Sequence, residues 1–379
     1  MEFLSQIIVG ILSSYLAFTN GLADLVSALL PEEPEESIVI VAETEESAPD
    51  SKPSILSRLP SNYQIGGPIP DILRENATFQ EAAVARSSST STTNAIPPSR
   101  VASAIENALV NIYCTYTTDT FERTTTGTGF FVSEEGVILT NAHVAQFLLL
   151  EAMPGEAGET ECVVRTGSPA TAEYEAELLY ISPLWINENA DIISSQNPKG
   201  TGERDYALLY VSDTLSSTPL PGRFPALPYS TAALSSEEIG ADVSAGGYPA
   251  ANLGADGPKA NLELVTATTS ISEIFTFADN QSDVISLRGS AIGMQGASGG
   301  PVVNTAGEVI GLIVTKGDDT TDGEGSLRAL TISYINRTIE EETSFNLERN
   351  TSGDLPFRAQ IFIDALGPIL SSMLIEELE

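Results

Sequence analysis

The chain has one histidine, His143, in 379 residues. Far downstream, the run Gly293-Met294-Gln295-Gly296-Ala297-Ser298-Gly299-Gly300-Pro301-Val302-Val303 sets a hydroxyl among glycines ahead of a β-branched pair. Glycines accept positive φ and let bare backbone N–H groups approach a bound carbonyl, which is the setting a nucleophilic serine needs. A glycine-rich turn without chemistry would look the same. So would Gly-x-Ser-x-Gly, the strand-to-helix elbow of α/β-hydrolases. The histidine decides between them. A serine activated near neutral pH needs an imidazole, so the base for Ser298 is His143 or nothing. Elbow hydrolases place their histidine after the serine, and no histidine follows Ser298.

The surroundings of His143 read as β-structure. Gly127 to Val132 and Gly136 to Thr140 are two short strands joined by a Glu-Glu-Gly turn, with His143 just past the second. Between His143 and Ser298 lies Asp205-Tyr206-Ala207-Leu208-Leu209-Tyr210-Val211. Alternation puts Asp205, Ala207, Leu209 and Val211 on one face, with Asp205 opening the strand. The order His, Asp, Ser is the one found in chymotrypsin-like chains.

The blocks Thr140-Asn141-Ala142-His143, Asp205-Tyr206-Ala207-Leu208-Leu209 and Gly296-Ala297-Ser298-Gly299-Gly300-Pro301 together resemble the signature of chymotrypsin-fold (trypsin-like) serine proteases. They are closer to the bacterial HtrA-type branch than to digestive trypsins, and Val302 to Leu312 and Gly246-Gly247-Tyr248-Pro249 agree. The resemblance runs from about Ala95 to Ile339. It implies an all-β chain of two six-stranded antiparallel Greek-key barrels with short helices and the active site in the cleft between the barrels. It further implies serine endopeptidase chemistry. Ser298 would be the nucleophile, His143 the general base and Asp205 its orienting acid, with the N–H groups of Gly296 and Ser298 as the oxyanion hole. Ile292 would lie at the base of the first specificity pocket, walled by Gly293 and Met294, so a small or medium apolar P1 side chain is expected rather than Lys or Arg. Ala297 replaces the acid that in trypsins pairs with a freshly cut N-terminus, so activation of that kind is not carried over. Two cysteines, Cys114 and Cys162, fall on the presumed first and fourth strands of the first barrel, which are neighbours in that topology. A disulfide is expected there, with two buried thiols as the alternative. The alternative function is a silent protease fold that binds peptides or acts as a surface-anchored interaction protein.

The chemistry requires no cofactor, and one His with two Cys argues against a structural zinc site, so no metal is expected. Protein or peptide substrates are the implied partners. Acidic residues number 52 against 17 basic, a net charge of −35. Such a surface repels phosphate backbones, so nucleic acid is not an expected partner.

The domain reading follows. Residues 1–30 are apolar and read as a signal peptide or membrane anchor, with a buried helix of the folded domain as a third reading. Although no Lys or Arg precedes the run, this suggests membrane association or export, and an extracytoplasmic protease. Residues 31–98 are acidic, then rich in Ser, Thr and Pro, and read as a disordered linker, with a pro-segment as the rival reading. The first barrel is placed at 99–226 and the second at 227–345. Arg100 to Leu109 has helical spacing, Asn187 to Arg204 reads as a long loop, and Ser333 looks like the N-cap of a helix from Tyr334 to Glu342. The tail at 346–379 is short for the PDZ module of HtrA-type enzymes, a domain of about 90 residues. Its helical pattern over Gln360 to Leu378 is expected to dock on the chain's own core.

Overall fold

The computed structural model describes residues 96–153, 158–195, 202–250, 262–277, 281–288, 296–316 and 326–378. The readings of the leader, and of the linker up to residue 95, lie outside the described residues. So do those of Ile292, Gly293 and Met294.

Among the described residues, apolar alternation and β-branched residues build twelve strands. The first six are β1 (Leu109–Thr117), β2 (Glu122–Phe131), β3 (Val137–Thr140), β4 (Glu159–Thr166), β5 (Thr171–Ile181) and β6 (Ala207–Thr214). They close in the order β1-β2-β3-β6-β5-β4. The second set is β7 (Asp242–Gly247), β8 (Val265–Phe275), β9 (Val284–Leu287), β10 (Pro301–Val303), β11 (Val309–Lys316) and β12 (Leu327–Thr331). It closes with the same connectivity, β7-β8-β9-β12-β11-β10. Every pairing within the barrels is antiparallel. The expected two six-stranded barrels are therefore present. Closure leaves no sheet edge unpaired. Fully buried Val110, Ile112 and Ile138 pack together on one face of the first barrel's wall, and Phe130, Leu139 and Leu208 on the other, in a core shared with Val303 and Leu312 of the second barrel.

Cys114 lies directly opposite Cys162 in the β1–β4 register, and the two form a disulfide. The pairing expected from the barrel topology is the one observed.

Helices account for most departures from the sequence reading. Helix α1 (Pro98–Ala108) begins ahead of the periodic residues because Pro98 sits at its first turn, where a missing N–H costs nothing. It precedes the first barrel yet packs on β7 and β8 of the second. There Gly246 makes room: a Cβ would come within 2.4 Å of Ile105. Helix α2 (Ala142–Ala152) occupies a stretch given no structure from sequence. Nearly its whole surface is buried, so it lacks the one-sided apolar pattern by which helices are read. The first part of the presumed loop from Asn187 to Arg204 is helical: α3 (Pro183–Asn189) continues into a 3-10 turn (Ala190–Ser194). Buried Ile186, Ile192 and Ile193 fix it. Ser182 caps α3 by accepting from the Trp185 N–H.

Helix α4 (Ile332–Thr343) corrects the capping assignment. Thr331, not Ser333, is the N-cap, its Oγ1 accepting from Tyr334 N at 3.1 Å. Ile332 is fully buried, so β12 runs straight into the helix without the extra two residues. After a short helix α5 (Leu347–Asn350), helix α6 (Leu355–Glu376) starts before the expected Gln360 because Asp354 caps it. It docks on β5, α2 and α3. Among the described residues it is the one helix long and apolar enough to cross a membrane, with a mean hydropathy of 1.3 over its most apolar window.

Candidate active site

His143 stands in the first turn of α2, directly after β3. Asp205 lies before β6, which pairs with β3, so adjacent strands deliver both residues to one barrel end. Asp205 does not open the strand as alternation suggested. The strand begins at Ala207, and a tight turn precedes it. In that turn Arg204 takes a left-handed φ of 54° and Tyr206 N donates to the Arg204 carbonyl at 2.8 Å. The turn aims the carboxylate at the helix. Asp205 Oδ2 lies 2.7 Å from His143 Nδ1, and Oδ1 accepts the His143 backbone N–H at 3.0 Å. Asn141 Nδ2 holds the Asp205 carbonyl at 2.8 Å. The acid is buried, and the imidazole keeps 16% of its surface open. A carboxylate on Nδ1 fixes the tautomer that leaves Nε2 free as a base.

Ser298 sits on the loop entering β10. The loop folds as it does because two glycines take left-handed conformations, Gly296 at φ 93° and Gly299 at φ 89°. Neither tolerates a side chain. A Cβ on Gly296 would meet the Tyr248 carbonyl at 2.4 Å, and one on Gly299 the Thr128 carbonyl at 1.8 Å. Gly299 N–H donates to Ile313 O and Gly300 N–H to Ala297 O. Among the described residues, the N–H groups of Gly296 and Ser298 donate no hydrogen bond. The Ser298 hydroxyl, partly exposed, makes its hydrogen bond among the described residues with the Val314 carbonyl at 3.4 Å rather than with His143.

What grips this loop is Thr128, a residue that sequence reasoning passed over. It is fully buried in β2 of the first barrel. Its backbone N–H donates to Ser298 O at 2.8 Å and its hydroxyl to Gly296 O at 2.6 Å. The same hydroxyl accepts from Tyr248 N at 2.9 Å, and the Thr128 carbonyl accepts from Thr140 Oγ1 at 2.7 Å. One threonine thus holds both sides of Ala297 and links the serine loop to Thr140, the last residue of the strand that leads into the His143 helix. The available signal was the flanking pair Gly127 and Gly129, since glycine inside a strand marks close approach. A Cβ at Gly127 would come within 2.4 Å of Val144.

Two acidic groups near this scaffold are displaced by burial. Glu151, at the far end of α2, is pushed up to about 7 by burial, with Glu161 and Glu175 adding to it. Its Oε1 accepts the Cys162 N–H at 2.8 Å, tying the histidine helix to the disulfide strand. Glu203, beside Arg204, is raised mainly by burial. No group of metal-ligating side chains occurs among the described residues.

Two closed six-stranded barrels, carrying an imidazole–carboxylate pair on one and a glycine-framed serine on the other, define a chymotrypsin-fold protein. Residues 127–312 match the family model of the trypsin-like peptidase domain, which supports a serine-type endopeptidase. Among solved structures it is similar to a serine endoprotease from Yersinia pestis, at 22% identity and a TM-score of 0.40, covering 66% of this chain and 68% of that one. No curated protein matches the chain.

Proposed function

We propose that the chain hydrolyses peptide bonds through Ser298, His143 and Asp205 by way of an acyl-enzyme. The observation that carries this reading is the two-point hold of Asp205 on His143, through Nδ1 and the backbone N–H. When substrate binds, the Ser298 hydroxyl exchanges its Val314 partner for His143 Nε2; such bonds commonly tighten only in the Michaelis complex. Oγ attacks the scissile carbonyl as His143 takes its proton. The oxyanion is met by the N–H groups of Gly296 and Ser298. The C–N bond then breaks as the imidazolium returns the proton to the leaving amine. Water repeats the sequence to free the acid, and Asp205 stabilises the imidazolium throughout.

Ile292, Gly293 and Met294 form the first specificity pocket on this reading, and Ile292 favours small or medium apolar P1 residues. The Cys114–Cys162 disulfide supports an oxidising, extracytoplasmic setting, reached through residues 1–30.

A fluorophosphonate probe tests the site. It should label the protein, fail on Ser298→Ala and label His143→Ala far more slowly. Undiminished labelling of Ser298→Ala would remove Ser298 from the role of nucleophile.

A further inference from the structure

Helix α4 carries a buried polar stripe that the chemistry above does not use. Tyr334, Thr338 and Glu342 are spaced four apart and therefore share one face. Exposed helix faces are usually polar, but this one is turned inward. Glu342 is held by three donors from the first barrel. Tyr180 OH lies at 2.8 Å, Ser182 Oγ at 2.9 Å and Arg204 Nε at 2.9 Å. Thr338 Oγ1 meets Tyr206 OH at 2.8 Å. Tyr334 OH accepts the backbone N–H of Arg204 at 3.2 Å.

These contacts fall on the two neighbours of Asp205. Arg204 is gripped at both its backbone and its guanidinium, and Tyr206 at its hydroxyl. Arg204 is also one of two non-glycine residues with positive φ among the described residues. A left-handed arginine persists only where its surroundings over-determine it. Here the grip supplies that determination, because Arg204 N–H and Nε are both engaged by α4. The turn it makes is what points the Asp205 carboxylate at His143. The other side of α4 is tied to the second barrel, where Arg337 Nη2 pairs with buried Asp283 Oδ1 at 2.6 Å. The helix therefore spans from the serine barrel to the acid loop of the histidine barrel.

We propose that the Tyr334–Thr338–Glu342 face is a positioning unit for Asp205, which sets the imidazole by holding Arg204 and Tyr206 rather than by touching substrate. This rests on the triad reading above. Misplacement of a catalytic group by about 1 Å can cost on the order of 100-fold in rate, so removal of one anchor should be visible in turnover before it is visible in folding.

The full-length protein offers a direct readout, because its only imidazole is His143. The Nδ1 proton shared with Asp205 gives one downfield resonance with no other histidine to confuse it. Tyr334→Phe and Glu342→Gln should lower kcat about tenfold with KM within about twofold, and should shift or broaden that resonance. Thermal unfolding of Tyr334→Phe should change little, since one oxygen is removed. If Glu342→Gln does not fold, Tyr334→Phe alone decides. A folded Tyr334→Phe with unchanged kcat and an unchanged resonance overturns the proposal. Ser298→Ala and Asp205→Asn run beside it. If either retains full turnover, the triad reading fails instead. If both are inactive, the Tyr334→Phe result decides the role of α4 by itself.

Discussion

The two barrels share a strand order but are held together differently. The first is closed covalently by Cys114–Cys162, is covered by α2 and α6, and contains a complete His143–Asp205 pair within itself. The second carries the serine on a loop whose shape depends on two left-handed glycines and on a threonine of the other barrel. The His143–Asp205 pair is thus fixed by its own barrel's strands, together with the α4 contacts on the Asp205 turn. The Ser298 loop takes its shape only when the barrels meet. On the triad proposed above, catalytic geometry and domain assembly are then a single event.

That contrast can be broken most sharply at the acid. Asp205→Asn should keep the fold but lower kcat about 10⁴-fold, because an amide can hold the imidazole in the wrong tautomer. Steady-state turnover beside near-ultraviolet circular dichroism checks it. Next comes the disulfide. Its cysteines are 48 residues apart in sequence, and loop closure of that length corresponds to about 4 kcal/mol by the chain-entropy relation. Cys114→Ser with Cys162→Ser should lower denaturant stability by about that amount, with loss concentrated in the first barrel by hydrogen exchange. Thr128→Val tests the dependence of the second barrel on the first. It leaves the Gly296 carbonyl and the Tyr248 N–H without their partner, at a cost of about 1–3 kcal/mol each. Probe labelling of Ser298 should slow about tenfold or more, while the His143–Asp205 proton resonance stays in place.

The smallest effect expected is at Glu151. Its carboxyl is raised in the folded protein from 4.5 to about 7, chiefly by burial. The folded state therefore binds more protons across that window, and stability falls as pH rises from about 4.5 to about 7. Glu151→Gln keeps an acceptor for Cys162 N–H and should flatten that slope. At pH 8 it should raise stability by about 1 kcal/mol, allowing for solvent screening, or about 2–4 °C in Tm. A scan of Tm against pH for both proteins measures it.

The sequence made the strands legible because each barrel strand alternates or runs apolar over a short span between turns. It marked His143, Asp205 and Ser298 as candidates because chemistry restricts those residue types and a single histidine left no choice; of these, His143 and Asp205 are brought into direct contact. It hid α2, whose all-round burial erases amphipathic spacing, and it misplaced the cap of α4, since Ser333 and Thr331 are equally plausible until the burial of Ile332 is known. Thr128 and Glu342 were hidden for another reason. Their partners lie at Gly296 and Arg204, far off in the chain; the glycines flanking Thr128 mark a close approach but not which segment makes it.

Helix α1 carries a consequence for where an active fragment can begin. It enters ahead of the first barrel, but Ile105 fills the space beside Gly246, and Ile96 N–H donates to the Thr305 carbonyl at 2.9 Å, both on the second. The opening segment is thus a strap that buckles the far half to the near one. A chain cut at Leu109 would keep all twelve strands and still leave that buckle undone, so the shortest working protease should start no later than Ile96.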